Sequence, residues 1–493
     1  MRRLVRSTAI LGVGSIATIV AAILRAKILA AWLGPEGTGI LAQLAAFTAV
    51  LIPLATLGAG NGVVTMIADA RARGDQDRVR RVTNTARTLA WSAGIALALL
   101  SVALSPWITD AVYRDRTFVW AILLAAATIP LSAVASLQIT MLQGHGAVRS
   151  MAILNGLGAA ITIGTIVPMA WFFGVKGAVA QLVILATAQV LLGRRLLAPL
   201  QPPAPDRAEP RVDRSLLRPI ARYGGSALLV GLSSTLTLLV LRSIIVDKLG
   251  LGQNGIYQVC VGVSGLTMPL ILNSITATVW PEIAAQPTDE GAGVPMRSGI
   301  RLCFLLTTGV AAALMVGAPI WVPLFYSPKF RPALELLPFQ FLGDYFRAAA
   351  WMFGIWLVPR NRLRPWVLFD VVYGLVILGA FLFLVDRVGV RAIVIAYVLA
   401  HVSHAVLHYG LARHAIGFRL GRDNRVLLLG SLALLLILLV VRPEDVPGMV
   451  IGGFLTAVWA AFVVKPREWR SLRDMALRQI QRITPASGRS GGE

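Results

Sequence analysis

Four cations stand inside otherwise apolar stretches of this chain: Arg25, Lys27, Arg242 and Arg347. A guanidinium near the middle of a bilayer costs roughly 2.5–3.5 kcal/mol on insertion scales, so it must face a partner, water or an anion. Arginine stays charged and offers a planar fork of donors that matches phosphate oxygens. Arg25 precedes the helix-ending Gly34, and Arg242 precedes Gly250, by similar spacings. At 1.5 Å per residue that is about 13 Å, a long reach for a side chain seeking the interface. Both fall at matching depth, one in each half of the chain, which suggests two cations converging on one cavity. Lys27 lies on another face of its helix and is expected to reach the interface. In "QFLGDYFR", Asp344 and Arg347 are one turn apart and placed to pair. Gln43, Asn61, Gln138, Asn155, Gln181, Gln258 and Asn273 are uncharged polar residues within spans. They could present hydrogen bonds to sugar hydroxyls, or hold helices together.

These positions presuppose a membrane. The 493 residues are 57% apolar, with mean hydropathy +0.74, and many windows reach the roughly 20 apolar residues needed to cross a bilayer. The runs are continuous rather than alternating, so the spans are helices and not barrel strands. A net charge of +23, from 46 basic and 23 acidic residues, would suggest nucleic acid in a soluble protein. Here the charges sit in loops between spans, and nucleic acid is excluded as a partner. Cys260 and Cys303 both fall within spans and form no disulfide framework. The basic, then apolar, N-terminus imitates a signal peptide; its apolar run is too long, and it reads as an uncleaved first span.

Fourteen helices are expected, at roughly 8–33, 38–68, 87–105, 118–142, 151–173, 177–194, 223–249, 254–280, 299–325, 334–358, 365–385, 391–412, 426–441 and 448–464. With the N-terminus inside, most of the lysines and arginines fall in inner loops, as the positive-inside rule requires, and both termini are cytoplasmic. The chain divides into an N-terminal six-helix lobe at 1–197, a proline- and arginine-rich cytoplasmic linker at 198–219 and a second six-helix lobe at 220–415. Two further helices at 416–464 and a basic cytoplasmic tail at 465–493 follow. One helical face of the tail, with Trp469, Leu472, Ala476 and Ile480, suits a helix lying on an anionic leaflet or a solvated basic segment. At one constant offset, Leu33-Gly34 meets Leu249-Gly250, Gly39-Ile40 meets Gly255-Ile256, and Pro53-Leu54 meets Pro269-Leu270. Both copies run from inside to outside, so this is a parallel repeat about an axis along the membrane normal. Pro53 and Pro269 are expected to bend the second helix of each lobe.

Other signals carry less. His401, His404 and His408 share a helix face, but no cysteine or carboxylate accompanies them in sequence, so no metal site is assigned. "GAGNG" at Gly58–Gly62 lacks phosphate-loop spacing and follows no strand. No nucleophile–base constellation appears, and neither an enzyme activity nor a cofactor is expected.

Two stretches carry a family resemblance. "AKILAAWLGPEGTGILAQLAAF" resembles the start of Wzx-type flippases of the MATE/MOP superfamily. "FRPALELLPFQFLGDYFRAAAWMFGIWLVPRNR", Phe330 to Arg362, is similar to the branch of O-antigen and enterobacterial common antigen lipid III translocases. The resemblance implies an all-α polytopic protein of the bacterial inner membrane, with two lobes alternating between inward-open and outward-open states. It implies an undecaprenyl-diphosphate-linked oligosaccharide as cargo, carried from the cytoplasmic to the periplasmic leaflet for O-antigen, lipopolysaccharide or exopolysaccharide synthesis. Membrane lipids and the polysaccharide polymerase machinery would be its partners, with H+ or Na+ coupling left open. The substrate site would then comprise Arg25, Arg242, Arg347, Asp344, Gln43 and Asn61. The two extra C-terminal helices depart from the usual twelve of that branch. Three alternatives stand beside it: a lipid II flippase, a MATE-like cation-coupled drug antiporter using Asp344 or Asp370, and a membrane glycosyltransferase or polymerase. The short outer loops speak against the last, and the excess of cations within spans speaks against the antiporter.

Overall fold

The computed structural model describes residues 2–202 and 212–465. The middle of the linker and the tail face proposed for 465–483 therefore lie, wholly or nearly so, outside the described residues. In the first lobe, α1 (2–33) and α2 (35–55) are followed by α3 (Gly60–Ala72), α4 (Gln76–Ala103), the short α5 (Ser105–Tyr113), α6 (Val119–Gly144), α7 (148–173) and α8 (175–197). The second lobe contains α9 (Arg214–Leu249), α10 (Leu251–Ala284), α11 (Gly293–Phe325), α12 (Leu337–Gly354), α13 (Leu363–Val388) and α14 (Arg391–Ile416). The last two helices are α15 (Arg422–Val441) and α16 (Val446–Val463). Ten apolar stretches are long enough to cross a membrane. Two of them contain a glycine break and divide, and α9 and α12 complete fourteen spans. The second span is built from α2 and α3 together, and α5 is too short to cross.

The repeat is written into the backbone. Gly34 turns α1 into α2 with φ 66°, ψ −168°, and Gly250 turns α9 into α10 with φ 85°, ψ 168°. Gly174 and Gly389 turn the fifth helix of each lobe into the sixth, with ψ −135° and −134°. Positive φ strains a residue bearing a Cβ, so glycine recurs at both hairpin corners.

The matched prolines behave differently. After Pro53 the helix unwinds over 56–59, with Leu57 at φ 52° and Gly58 at φ 63°, and restarts at Gly60. Pro269 lies inside the unbroken α10. Gly58 can enter the left-handed region and packs against the backbone of Gly224 in α9, whereas "LILNSI" after Pro269 has no glycine to absorb a break. The bend expected in both lobes is a complete interruption of helix in the first; in the second, the helical hydrogen-bond pattern carries through.

The second lobe holds one continuous core, from Leu241 of α9 to Trp459 of α16, joined by Ala30 of α1. The first lobe has separate clusters, including one at the Gly34 end and one at the linker end. The helix α9 joins both lobes: Leu216 and Ile220 pack with Val79, Val82 and Leu197 of the first, while Leu241 and Ile245 belong to the core of the second. Its first turn is fixed by Asp213, whose carboxylate accepts from the Ser215 amide and hydroxyl. The Asp213 amide in turn donates to Thr85 Oγ1 at 2.9 Å. Those Ser215 bonds, with Arg81 3.5 Å away, hold the Asp213 carboxyl below the usual carboxylate range. The two extra helices dock on α11 and α12 through polar ends: Asn424 donates to Arg297 O, Arg301 to Val463 O and Tyr345 to Leu428 O.

The lobes are sealed at one end and parted at the other. At the Gly34 end, a Cβ on Gly39 would stand 2.0 Å from Leu251 O, and one on Gly255 would stand 1.8 Å from Pro35 O. The two backbones touch where the repeat axis crosses the seam. Around this contact Lys27 donates to Pro323 O at 3.1 Å, Ser327 to Ala30 O at 3.4 Å, and Arg114 meets Asp247 at 3.1 Å. Pro323 lies two residues before the end of α11, so Lys27 reaches toward the helix ends and bonds across the seam there. Toward the linker end, α3 packs on α4, α6 and α9 and builds no interface with α10. There α10 exposes Asn273, Ser274, Thr278 and Glu282 along one face, a polar stripe unsuited to hydrocarbon.

Replacing Gly255 by valine should prise the sealed end apart. Ser327→Cys, buried in the parent, should react slowly with a membrane-impermeant maleimide and much faster in the Gly255→Val background. Equal rates would mean that Gly39 and Gly255 do not hold the seam closed.

Candidate functional site

Two polar clusters occupy the interior, and both are centred on charges expected from sequence. The first surrounds Arg242 on α9, which is 2% exposed. Its Nη1 donates to Asn254 Oδ1 at 2.7 Å and its Nη2 to Gln258 Oε1 at 2.5 Å, and the guanidinium lies 5.5 Å from the Tyr257 ring centre. Asn254 passes the connection across the seam by donating to Gly39 O at 3.0 Å. The neighbouring residue, Ser243, accepts from Gln43 Nε2 of α2 at 2.8 Å. Gln43 also donates to Val112 O and is itself fully buried. Every acceptor on Arg242 is neutral, no carboxylate lies within ion-pair distance, and its Nε has no partner among the described residues. A buried cation without a counter-ion keeps a strong preference for an arriving anion.

The second cluster surrounds Asp344 on α12, fully buried. Ser264 donates to its Oδ2 at 2.5 Å and Tyr397 to its Oδ1 at 2.8 Å, while Gln340 donates to Ser264 at 2.9 Å. Arg347 is the charge facing Asp344 and lies beside Tyr397 and Tyr373. The direct Asp344–Arg347 pair anticipated from spacing does not form within 4 Å. Hydroxyls from α10 and α14 occupy both carboxylate oxygens and keep the guanidinium off them. Next to this cluster, His401, His404 and His408 stack with Tyr397, Tyr373, Trp366 and Phe369, and His404 Nε2 lies 3.5 Å from the Asp370 carboxylate.

Arg25 and Asn61 join neither cluster by any hydrogen bond or ion pair. Arg25 is half-buried on α1, where the nearby Ala26 packs on the second lobe and Leu29 packs in the first. Its Nε is buried without a partner. Asn61 is exposed at the start of α3, on the parted side.

The acceptors of Arg242 and the hydroxyls around Asp344 were not singled out from sequence as partners. For Arg242 a signal existed: Gln258 follows Gly250 by as many residues as Arg242 precedes it, so a hairpin turning at Gly250 brings the two together. The same symmetry about Gly34 relates Arg25 to Gln43, yet Gln43 turns to Ser243 of the other lobe instead. For Ser264 and Tyr397 no local signal exists, since α10, α12 and α14 meet only through packing.

Asn254→Ala should strand one end of the buried guanidinium and destabilise the protein by about 1–3 kcal/mol, read as a lower thermal midpoint in detergent. Adding Arg242→Met should recover part of the loss, because the unpaired charge is then gone. An additive double variant would show that Asn254 does not serve Arg242.

The family model described as polysaccharide biosynthesis protein matches residues 28–335. Over 366 residues, 71% of this chain and 84% of the relative, the sequence is 22% identical to a lipid III flippase of Escherichia coli (strain K12). Among solved structures, the lipid II flippase MurJ in an inward closed conformation superposes with TM-score 0.71 at 11% identity, covering 92% of this chain and 98% of that one. A multidrug resistance MATE family transporter of the MOP superfamily, in its inward-facing conformation, superposes with TM-score 0.69 at 17% identity, covering 83% and 98%. The structural likenesses establish a shared fold.

Proposed function

This chain belongs to the polysaccharide biosynthesis protein family, and on that premise we propose that it is a flippase of the inner membrane for an undecaprenyl-diphosphate-linked oligosaccharide. The cargo would be turned over from the cytoplasmic to the periplasmic leaflet by alternating access between the lobes. The observation that carries the proposal is Arg242, a buried cation at the seam between lobes that has only neutral acceptors. The relative that is a lipid III flippase gives independent support.

The physics is that of moving an anion through hydrocarbon. A diphosphate cannot cross unaided, since burying an unpaired charge is prohibitive. Arg242, with Arg25 on the facing helix of the other lobe, supplies the opposite charge at intermediate depth. Neutral acceptors suit a carrier: amide oxygens release a guanidinium to phosphate more readily than a carboxylate would. With the basic linker end in the cytoplasm, the state described here is parted toward the cytoplasm and sealed toward the periplasm, ready to load. Asn61 and the polar face of α10 line the parted side, where sugar hydroxyls would lie. An inside-negative potential favours outward movement of an anion by about 2.3 kcal/mol per charge per 100 mV. The process is transport and needs no covalent step.

A second reading, a cation-coupled antiporter, draws on Asp344 and on the Asp370–His404 contact. In that reading these carboxylates of the second lobe bind the coupling ion, and Arg242 has no assigned role.

The test is lipid analysis of a strain lacking this gene and any redundant flippase, with cargo synthesis verified. Undecaprenyl-diphosphate oligosaccharide should accumulate on the cytoplasmic face and be cleared by wild type. The Arg25→Ala plus Arg242→Ala variant, expressed at equal level, should clear it at least about tenfold more slowly. Rescue by the variant would remove the arginines from the site. No accumulation would refute the flippase and favour the antiporter.

A further inference from the structure

A recess at the linker end of the first lobe, between α4, α6 and α8, has the makings of a second anion site. Thr83 and Arg87 enter it from one face of α4, Gln138 from α6, and Arg194 from the end of α8, with Gln201 at the mouth. Both arginines are exposed toward the opening, and among the described residues no carboxylate lines it. Arg87 spends one donor on Asn84 Oδ1 at 3.1 Å, and among the described residues neither arginine belongs to an ion pair within 4 Å.

The floor carries the more telling feature. Thr83 is 3% exposed, and its hydroxyl has no hydrogen-bond partner. Threonines elsewhere in these helices, such as Thr48, Thr162, Thr165 and Thr187, return their hydroxyl to the carbonyl four residues back. Gln138, 6% exposed, donates to Val190 O at 3.2 Å and leaves Oε1 buried without a donor. Buried polar atoms are paired as a rule, so two unpaired ones beneath two guanidiniums with donors to spare mark a site awaiting a ligand. That ligand must be an anion that accepts from a hydroxyl and from guanidinium N–H groups, and must offer a donor or a water to Gln138. A phosphate ester meets these terms when a water donates to Gln138 Oε1.

We propose that this recess binds a phosphate group, and that the phosphate is borne by an anionic phospholipid of the inner leaflet. Gln138 lies six residues before the end of α6 at Gly144, about 9 Å along the axis, the depth of a headgroup rather than of the acyl core. Met141, Leu137 and Leu197 give the walls an apolar character that suits a glycerol backbone and not a fully hydrated ion. Basic pockets between spans on the cytoplasmic side are a general means of holding such headgroups. The site is independent of the seam around Arg242, so it stands or falls apart from the flippase proposal.

The test is native mass spectrometry of the full chain in detergent, with phosphatidylglycerol, phosphatidylethanolamine or inorganic phosphate added. Wild type should retain phosphatidylglycerol in preference to phosphatidylethanolamine. Arg87→Gln plus Arg194→Gln should lower retention at least about tenfold, and Thr83→Val alone should lower it by a smaller factor. The arginines are exposed, so their replacement should leave the elution volume and thermal midpoint without ligand unchanged. Retention unaffected by the double variant would overturn the proposal. Stabilisation by inorganic phosphate that the double variant loses, with no lipid retained, would overturn the lipid assignment and leave a free-anion site.

Discussion

A guanidinium buried among amide oxygens, with no carboxylate to neutralise it, constrains this molecule more than any other single interaction. Arg242 cannot be left bare, because an unsolvated charge would cost several kcal/mol. An acid in contact with it would cancel its charge. Asn254 and Gln258 resolve the conflict: they satisfy both terminal nitrogens from one neighbouring helix and leave the net charge intact. Their placement depends on the tight corner at Gly250, which folds α9 and α10 into a hairpin. That corner, and its twin at Gly34, also bring Gly39 and Gly255 into backbone contact. Charge and seam are therefore connected through Asn254, whose amide reaches from the arginine to the carbonyl of Gly39.

The two halves share a plan and differ in how they use it. The corner glycines repeat with closely similar dihedral angles, so the hairpins repeat. The second helices do not. One breaks after Pro53 and packs its turn on α9; its counterpart runs unbroken past Pro269. The arginines diverge too, with Arg242 held by its own hairpin and Arg25 left free on a flank. The first lobe has a divided core, the second a single one reinforced by α15 and α16. The helix α9 is rooted in the core of one lobe and latched by Asp213 and Thr85 to the other.

Much of the fold was legible in the sequence. Apolar runs of span length gave the helices, the bias of arginine gave their expected direction, and matched glycines and prolines gave the repeat. The charges worth watching were legible as well, because a cation in an apolar run is conspicuous whatever surrounds it. Their partners were less so. Asp344 and Arg347 are one turn apart, and local geometry alone would join them; hydroxyls from α10 and α14, distant in sequence, take that place instead. Lys27 extends toward the helix ends, and its partner there, Pro323 O of the other lobe, was not legible.

The sequence by itself determined where the chain crosses the membrane, where it turns and which side chains carry charge at depth, because each follows from the solvation of a residue and its near neighbours. Only the tertiary structure decided which cation stays free, which carboxylate is shielded, which end of the seam is shut and which matched proline breaks its helix. Those outcomes depend on contacts between helices far apart along the chain. At such contacts the choice between one hydrogen bond and another rests on ångström-scale packing that no local pattern encodes.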